Sequence, residues 1–308
     1  MPEHTKTSIV IPHYNNNNRL EKTLYAVKRE IGNQKNVQVI VVDNKSERCP
    51  KSLVEGFGAC FLEETTHLYS PYSARNRGIE KSDGEIIILL DSTCVPQRNW
   101  LHKGLQFLSK NEADIVSSNI LYEHSPGKPT LSQVWNSCFG VDAKKSIDKR
   151  GYAPGGCLFI KRSVFDTLGL FAEGIRSGGD YTFTNTAVRL GYKLMFCEDS
   201  VVKYPAKSYA ELKAKSIRVG KGQVGVWLSS GKFWFYFVKF LFKPFYPPNL
   251  KRISLAYKSK HKLYSYNKVL FFQLFFLGWH LRLLQFYGNL LGLACIIKSK
   301  PRFQKKKQ

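Results

Sequence analysis

The chain has 308 residues, 43% hydrophobic and 14% aromatic, with a formal net charge of +24. This is enough for one large α/β domain plus an appendage, and seven scattered cysteines with no Cys-x-x-Cys pair argue against a zinc site or a disulfide framework and for a reducing compartment. The charge is unevenly placed: residues 1–202 hold 25 Lys/Arg against 22 Asp/Glu, whereas residues 203–308 hold 22 against a single acidic residue, Glu211. A basic segment of that kind wants a polyanion, either nucleic acid or an anionic membrane surface.

In chain order, the N-terminus lacks the apolar core of a signal peptide, and Ser8 to Pro12 reads as a first strand. The turn His13-Tyr14-Asn15-Asn16-Asn17-Asn18 leads into a helix from about Arg19 to Ile31. Strands near 37–43, 59–62, 86–91 and 115–121 alternate with helical stretches near 73–81 and 97–110, which predicts βαβ units and a mainly parallel sheet. The runs Val37–Val42 and Ile86–Leu90 lack polar alternation, so both strands are expected to be buried on both faces. Each delivers an aspartate, Asp43 or Asp91, to the carboxyl edge, where open α/β sheets bind ligands. Gly155 and Gly156 open another strand, and 180–191 reads as a helix that stops at Gly191.

After Pro205 the character changes. Residues 207–222 form a basic helix, Trp227 to Pro248 is dense in aromatics, and 17 of the 29 residues in 269–297 are Val, Leu, Ile or Phe. Arg282, Gln285 and Asn289 fall on one side of a helical wheel, so spanning the bilayer and lying in its interface both remain open. Basic flanks, Lys251 to Lys268 and Lys298 to Lys307, suit anionic headgroups. The expected division is therefore 1–206 as a catalytic domain and 207–308 as a basic, aromatic-rich helical region for membrane association.

Five short motifs converge on a family. Ser8-Ile9-Val10-Ile11-Pro12-His13-Tyr14-Asn15, Val41-Val42-Asp43-Asn44, Ala74-Arg75-Asn76-Arg77-Gly78, Leu90-Asp91-Ser92-Thr93 and Gly178-Gly179-Asp180 have the order and spacing of family 2 glycosyltransferases, which the chain resembles over about residues 7–206. The resemblance implies a nucleotide-sugar-binding GT-A fold and inversion at the anomeric carbon. It implies that Asp43 binds the nucleobase, usually uracil, beside the Pro12-Tyr14 loop, although Asp43 could equally cap its own turn. It places Arg75 under the donor with its guanidinium available to a diphosphate, against the plainer alternative of a solvated helix face.

Asp91 stands at the first position of the family's Asp-x-Asp metal motif. Thr93 replaces the second carboxylate, and Tyr204 replaces a histidine that can supply another ligand in relatives, so a Mg or Mn site is expected to be weakened and metal-independent turnover stays open. Asp180 matches the general base, with helix capping as a compatible second role. Trp135, Gly155 and Gly156 fall where relatives line the acceptor site, and Trp135 could equally be plain core.

The expected activity is transfer of a sugar from a nucleotide-sugar, first of all a UDP-sugar, to a glycan or lipid-linked acceptor. The expected place is the cytoplasmic face of a membrane, peripheral or single-span, in polysaccharide biosynthesis. Two alternatives remain: a nucleic-acid-binding protein using the basic C-terminal third, which the interleaved Leu, Phe and Trp disfavour, and a catalytically silent relative, motivated by Thr93 and Tyr204. With no Gly-rich turn after the first strand and no Walker loop, a nicotinamide or P-loop enzyme is not expected.

Overall fold

The computed structural model describes residues 5–229, 231, 233–246, 248–258 and 268–299. The chain forms two compact units: the first takes in Val141–Pro205 and the described chain up to Glu123, the second His124–Gly140 and the described chain from Ala206 onward.

In the first unit, β1 (Thr7–His13), α1 (Asn17–Ile31), β2 (Val37–Asp43), α2 (Lys51–Gly56), β3 (Cys60–Glu63), α3 (Pro71–Lys81) and β4 (Ile86–Leu90) alternate. Then follow β5 (Val95–Pro96), α4 (Trp100–Lys110) and β6 (Ile115–Glu123). The chain next contributes α5 (Leu131–Phe139) to the second unit and returns with α6 (Ala143–Arg150), β7 (Cys157–Lys161), α7 (Arg162–Leu168), α8 (Gly179–Arg189) and β8 (Leu194–Pro205).

The eight strands form one sheet in the order β3-β2-β1-β4-β7-β6-β8-β5. Pairings among β3, β2, β1 and β4 are parallel, as is β6 with β8. Strand β7 runs antiparallel to both β4 and β6, so the sheet is mixed rather than uniformly parallel. That reversal has a consequence for function. It sets Cys157 opposite Leu90, and the Asp91 N–H donates to the Gly156 carbonyl at 3.0 Å, so the glycine pair that opens β7 lies beside the aspartate that follows β4.

The unalternating strands are buried on both faces because helices cover both. Ile9, Ile11, Val41, Ile88 and Leu90 pack on one side with Leu20, Leu24 and Val27 of α1 and Trp100 and Leu101 of α4. Val10, Ile87 and Leu89 point the other way, against Tyr72 and Ile79 of α3 and Phe183 of α8. Each such fully buried aliphatic side chain contributes about 1.5–3 kcal/mol relative to exposure. Helix α3 approaches β1 so closely that a Cβ on Gly78 would lie 2.4 Å from Val10 Cγ1.

The second unit is built from α5, α9 (Tyr209–Ser229), α10 (Phe233–Phe242), α11 (Leu250–Lys258) and α12 (Lys268–Ser299). Within α12, the 30 residues Lys268–Ile297 have a mean hydropathy of 1.4, so by length and composition the helix is able to cross a membrane, and only 17% of its apolar window is buried inside the protein. Helices α9 and α12 meet backbone to backbone: a Cβ on Gly220 would lie 2.1 Å from Gln285 O, and one on Gly288 2.2 Å from Ile217 O.

Of the polar stripe of α12, Asn289 is turned fully inward, and Arg282 and Gln285 are half-buried. Asn289 is fully buried and donates through Nδ2 to Gly220 O at 2.9 Å and Gln223 Oε1 at 3.2 Å, Arg282 donates to Tyr246 O at 2.5 Å, and His280 pairs with the Tyr209 hydroxyl at 2.7 Å. Close helix approach puts backbone carbonyls within reach of these donors, and the apolar residues Val269, Phe276 and Ile297 are left exposed instead. Of the basic flanks, residues 259–267 and 300–308 lie outside the described residues, as do residues 1–4 at the N-terminus.

Candidate active site

The site is built at the carboxyl edge of β1, β2 and β4. After β1 the chain turns through Asn15 and Asn16, both in the left-handed region at φ 54° and 64°, which asparagine tolerates better than most residues. Pairing of β1 with β4 ends at Val10, before the buried Pro12, whose nitrogen has no hydrogen to donate. Tyr14 projects from this turn, 46% exposed, edge-on to Tyr69 with centroids 5.4 Å apart, and the Arg176 guanidinium lies 5.6 Å from the Tyr69 ring.

Asp43, the last residue of β2, is buried and accepts from the Ser46 hydroxyl at 2.5 Å and the Ser46 N–H at 3.0 Å. It therefore does cap its own turn. Each carboxylate oxygen has a second lone pair, so the cap leaves acceptor capacity toward a ring N–H. The same turn is tied to the β1 loop by Asn15 N–H to Ser46 Oγ at 2.7 Å, and to Tyr69 by its N–H to Asn44 Oδ1 at 2.7 Å.

Beside Asp91 the structure brings together residues from four elements. Ser70 caps α3 by accepting from the Ser73 N–H, with Pro71 at the first helical position, and this fixes where Tyr72 and Arg75 point, one turn apart on one face. Arg75 Nη2 donates to Asp91 Oδ1 at 2.6 Å and to the Gly155 carbonyl at 2.7 Å. Its side chain is only 4% exposed, against 36% for Asp91. The sequence reading places this guanidinium open to a diphosphate; in the structure it is buried, because α3 packs flat on the sheet and Arg75 reaches inward to Asp91. Burial works against its charge, but Asp91, then Tyr72 and Asp180, outweigh that and raise its pKa. Gly155 has no room for a side chain, since a Cβ would lie 2.7 Å from Arg75 Nη1.

Asp180 lies in the first turn of α8, half-buried. The helix cap is Gly178, at φ 92°, so Asp180 is not the N-cap, and its carboxylate bonds outward instead. Oδ1 accepts from the Tyr72 hydroxyl at 2.9 Å and Oδ2 from the Gly155 N–H at 2.9 Å. The close approach permitted by Gly179 is to Tyr72, whose ring would lie 2.7 Å from a Cβ there. Burial first, and then the Asp180 charge, push the Tyr72 pKa up, so its hydroxyl keeps its proton and donates. The backbone of Gly155 thus accepts from Arg75 through its carbonyl and donates to Asp180 through its N–H.

The turn after Asp91 is held by a residue the sequence reading did not single out. Arg19 donates from Nε to Thr93 O at 3.1 Å and from Nη1 to Glu123 at 2.9 Å, and Thr23 donates to Ser92 O at 2.9 Å. Pairing of β5 with β8 sets Val95 opposite Lys203, which brings residues 203–205 alongside this turn, and Tyr204 stands edge-on to Tyr122 at 6.0 Å. Among the described residues, no three His, Cys, Asp or Glu side chains come together as a cation site. For a divalent metal, the donor set is one carboxylate, Asp91, paired with Arg75, beside a neutral hydroxyl at Thr93. Trp135 lies in the second unit, partly buried, tilted at 41° to Phe139 with ring centroids 5.3 Å apart, and packed by the apolar cluster of Val134, Ile253, Tyr257 and Leu274. A groove of 1320 Å³ opens at the opposite edge of the sheet, by Asn36, Glu85 and Lys161, and none of the residues above borders it.

A mixed sheet with carboxylates gathered at one edge and helices on both faces defines the GT-A class of transferase fold. Solved structures share it: the mannosyltransferase PcManGT of Pyrobaculum calidifontis, in complex with GDP-Man and Mn2+, superposes at a TM-score of 0.56 with 16% identity, covering 96% of this chain and 76% of that one. Residues 1–349 of S. aureus TarS superpose at 0.52 with 15% identity, covering 96% and 93%. In sequence, glycosyltransferase AglE of Haloferax volcanii is 34% identical over 227 residues, 72% of this chain and 74% of that protein. The family model for glycosyl transferase family 2 matches residues 8–169. The chain belongs to glycosyl transferase family 2 and is a glycosyltransferase.

Proposed function

We propose that the protein transfers a single sugar from a nucleoside-diphosphate donor to an acceptor hydroxyl with inversion, Asp180 acting as general base. The observation that carries this reading is the continuous chain of contacts Asp91–Arg75–Gly155–Asp180, which ties the donor-side carboxylate to the base through the backbone of one residue. Asp180 takes the proton of the acceptor hydroxyl as that oxygen bonds to the anomeric carbon, and the bond from that carbon to the diphosphate oxygen breaks on the opposite face. Pro12, Tyr14 and Asp43 frame the nucleoside; a uracil base is the first expectation, and the GDP-Man bound to PcManGT adds guanine as a second. Gly155 and Gly156 are assigned to the acceptor.

A divalent ion would rest on Asp91, with the donor's diphosphate and water completing its shell, and would supply charge neutralisation to the leaving group. With a single carboxylate present, its binding is expected to be weaker than in an Asp-x-Asp site. Arg75 and Arg19 already place positive charge against Asp91 and the turn after it. The exposed apolar side of α12 and the basic C-terminal third support attachment to an anionic membrane surface at the cytoplasmic face and a glycan or lipid-linked acceptor.

The test is direct. Asp180→Asn should lower transfer by about 10²- to 10⁴-fold while calorimetric affinity for UDP or GDP is unchanged. Normal turnover by this variant, or no binding of either nucleotide to the wild type, sinks the reading. A membrane fraction washed at high salt should retain the protein, and full release would limit attachment to charge alone.

A further inference from the structure

Asp180 would be of little use as a base if its carboxylate were free to turn. Both oxygens are held, and the two holders differ in kind. The Gly155 N–H is backbone, placed by β7 and by Arg75. The other, the Tyr72 hydroxyl, belongs to a side chain. Tyr72 is itself fixed on every side: its ring is 5% exposed, lies 5.7 Å from Phe171, sits against Gly179, and has the Arg75 guanidinium 5.5 Å from its centroid. No part of the core packing requires the hydroxyl, since a phenyl ring would fill the same volume.

We infer that Tyr72 is a positioning residue for the general base: its hydroxyl fixes the rotation of the Asp180 carboxylate, so that the second lone pair of each oxygen keeps a defined aim at the acceptor. This rests on the assignment of Asp180 as the base. With Tyr72 in place, the carboxylate takes the acceptor proton along one direction and becomes the neutral acid. Without the hydroxyl, only the Gly155 N–H restrains the group, and the productive orientation becomes one of several. A misplacement of this kind reduces rate without changing how the donor is held.

The experiment uses the full chain in detergent and reads release of nucleoside diphosphate from UDP-glucose, UDP-N-acetylglucosamine and GDP-mannose, with water as the acceptor. Tyr72→Phe should lower kcat by about 10- to 100-fold, the scale of one hydrogen bond to a charged group, with donor KM and Tm unchanged. In the double variant with Asp180→Asn, the tyrosine substitution should cost nothing further, because the carboxylate it orients is gone. Wild-type kcat in Tyr72→Phe, with Asp180→Asn inactive, overturns the positioning role and leaves the base standing. A fall in kcat matched by a fall in Tm or a rise in donor KM reassigns Tyr72 to structure. Activity in Asp180→Asn, or no release from any of the three donors, removes the base assignment and this inference with it.

Discussion

The two units solve the burial of polar groups in opposite ways. In the first, the central strand β4 is wholly apolar, and Asp43, Arg75 and Asp91 gather at one edge of the sheet, each with a partner. In the second, polar groups such as Asn289 turn inward between helices while Val269, Phe276 and Ile297 face out. There, close backbone contact between α9 and α12 and the internal hydrogen bonds of Asn289 act beside apolar clusters such as Val224, Trp227 and Phe240. The difference shows that a glycine or a buried polar residue has a different meaning in each unit.

Four substitutions would break or sharpen that contrast. The largest effect is expected from Arg75→Met, which leaves Asp91 without its guanidinium; a loss of about 3 kcal/mol in unfolding free energy is expected, at the lower end for a buried pair because Asp91 is partly exposed. Chemical denaturation would measure it, and an unchanged midpoint would show that the pair is dispensable to the first unit. Next, Gly288→Leu should separate α9 from α12, costing about 1–3 kcal/mol and lowering the thermal midpoint of the detergent-solubilised protein, since even a Cβ would lie 2.2 Å from Ile217 O.

Gly225, on the same helix α9, has nothing within 4 Å of a built Cβ, so Gly225→Ala should instead stabilise by about 0.5–1 kcal/mol. Opposite signs for these two glycines would confirm that only one of them serves close approach. The smallest effect concerns pH. His13 is buried, its Nε2 pairs with Asn17 at 3.0 Å, and burial lowers its pKa, the Asn17 bond and the Asp43 charge opposing this only in part. Its contribution to stability is therefore complete above the unfolded value of about 6.5 and is lost as pH falls from there toward the folded pKa. The drop in Tm between pH 7.5 and pH 5.5 should be smaller in His13→Asn than in the wild type; equal drops would exclude His13 as its source.

Much of the first unit was legible because its signals are local. Unalternating Val and Ile runs mark β2 and β4, and Gly191, at φ 93° just past α8, marks the end of that helix. Asp43, Asp91 and Asp180 were legible as candidates because each stands at a strand or helix terminus. Tyr72 was missed, although its spacing of three from Arg75 puts both on one face of α3 and was there to be read. Arg19 carried no such signal: its partners Thr93 and Glu123 are 74 and 104 residues away. Nor does the sequence mark α5 as part of the second unit, since its apolar face is satisfied only by Ile253, Tyr257 and Leu274 far along the chain.

By itself the sequence determined six of the eight strands, the edge at which the carboxylates emerge, the family and the apolar character of α12, all of which follow from periodicity, spacing and composition; it did not mark β5 or β8. Tertiary structure decided how those pieces act on one another. The reversal of β7 put Gly155 between Arg75 and Asp180, the packing of α3 buried a guanidinium that spacing alone left exposed, and the meeting of α9 and α12 buried Asn289. Each of these depends on groups distant in sequence meeting at about 3 Å, and hydrogen bonds at that range are set by where elements pack, not by what neighbours a residue has in the chain.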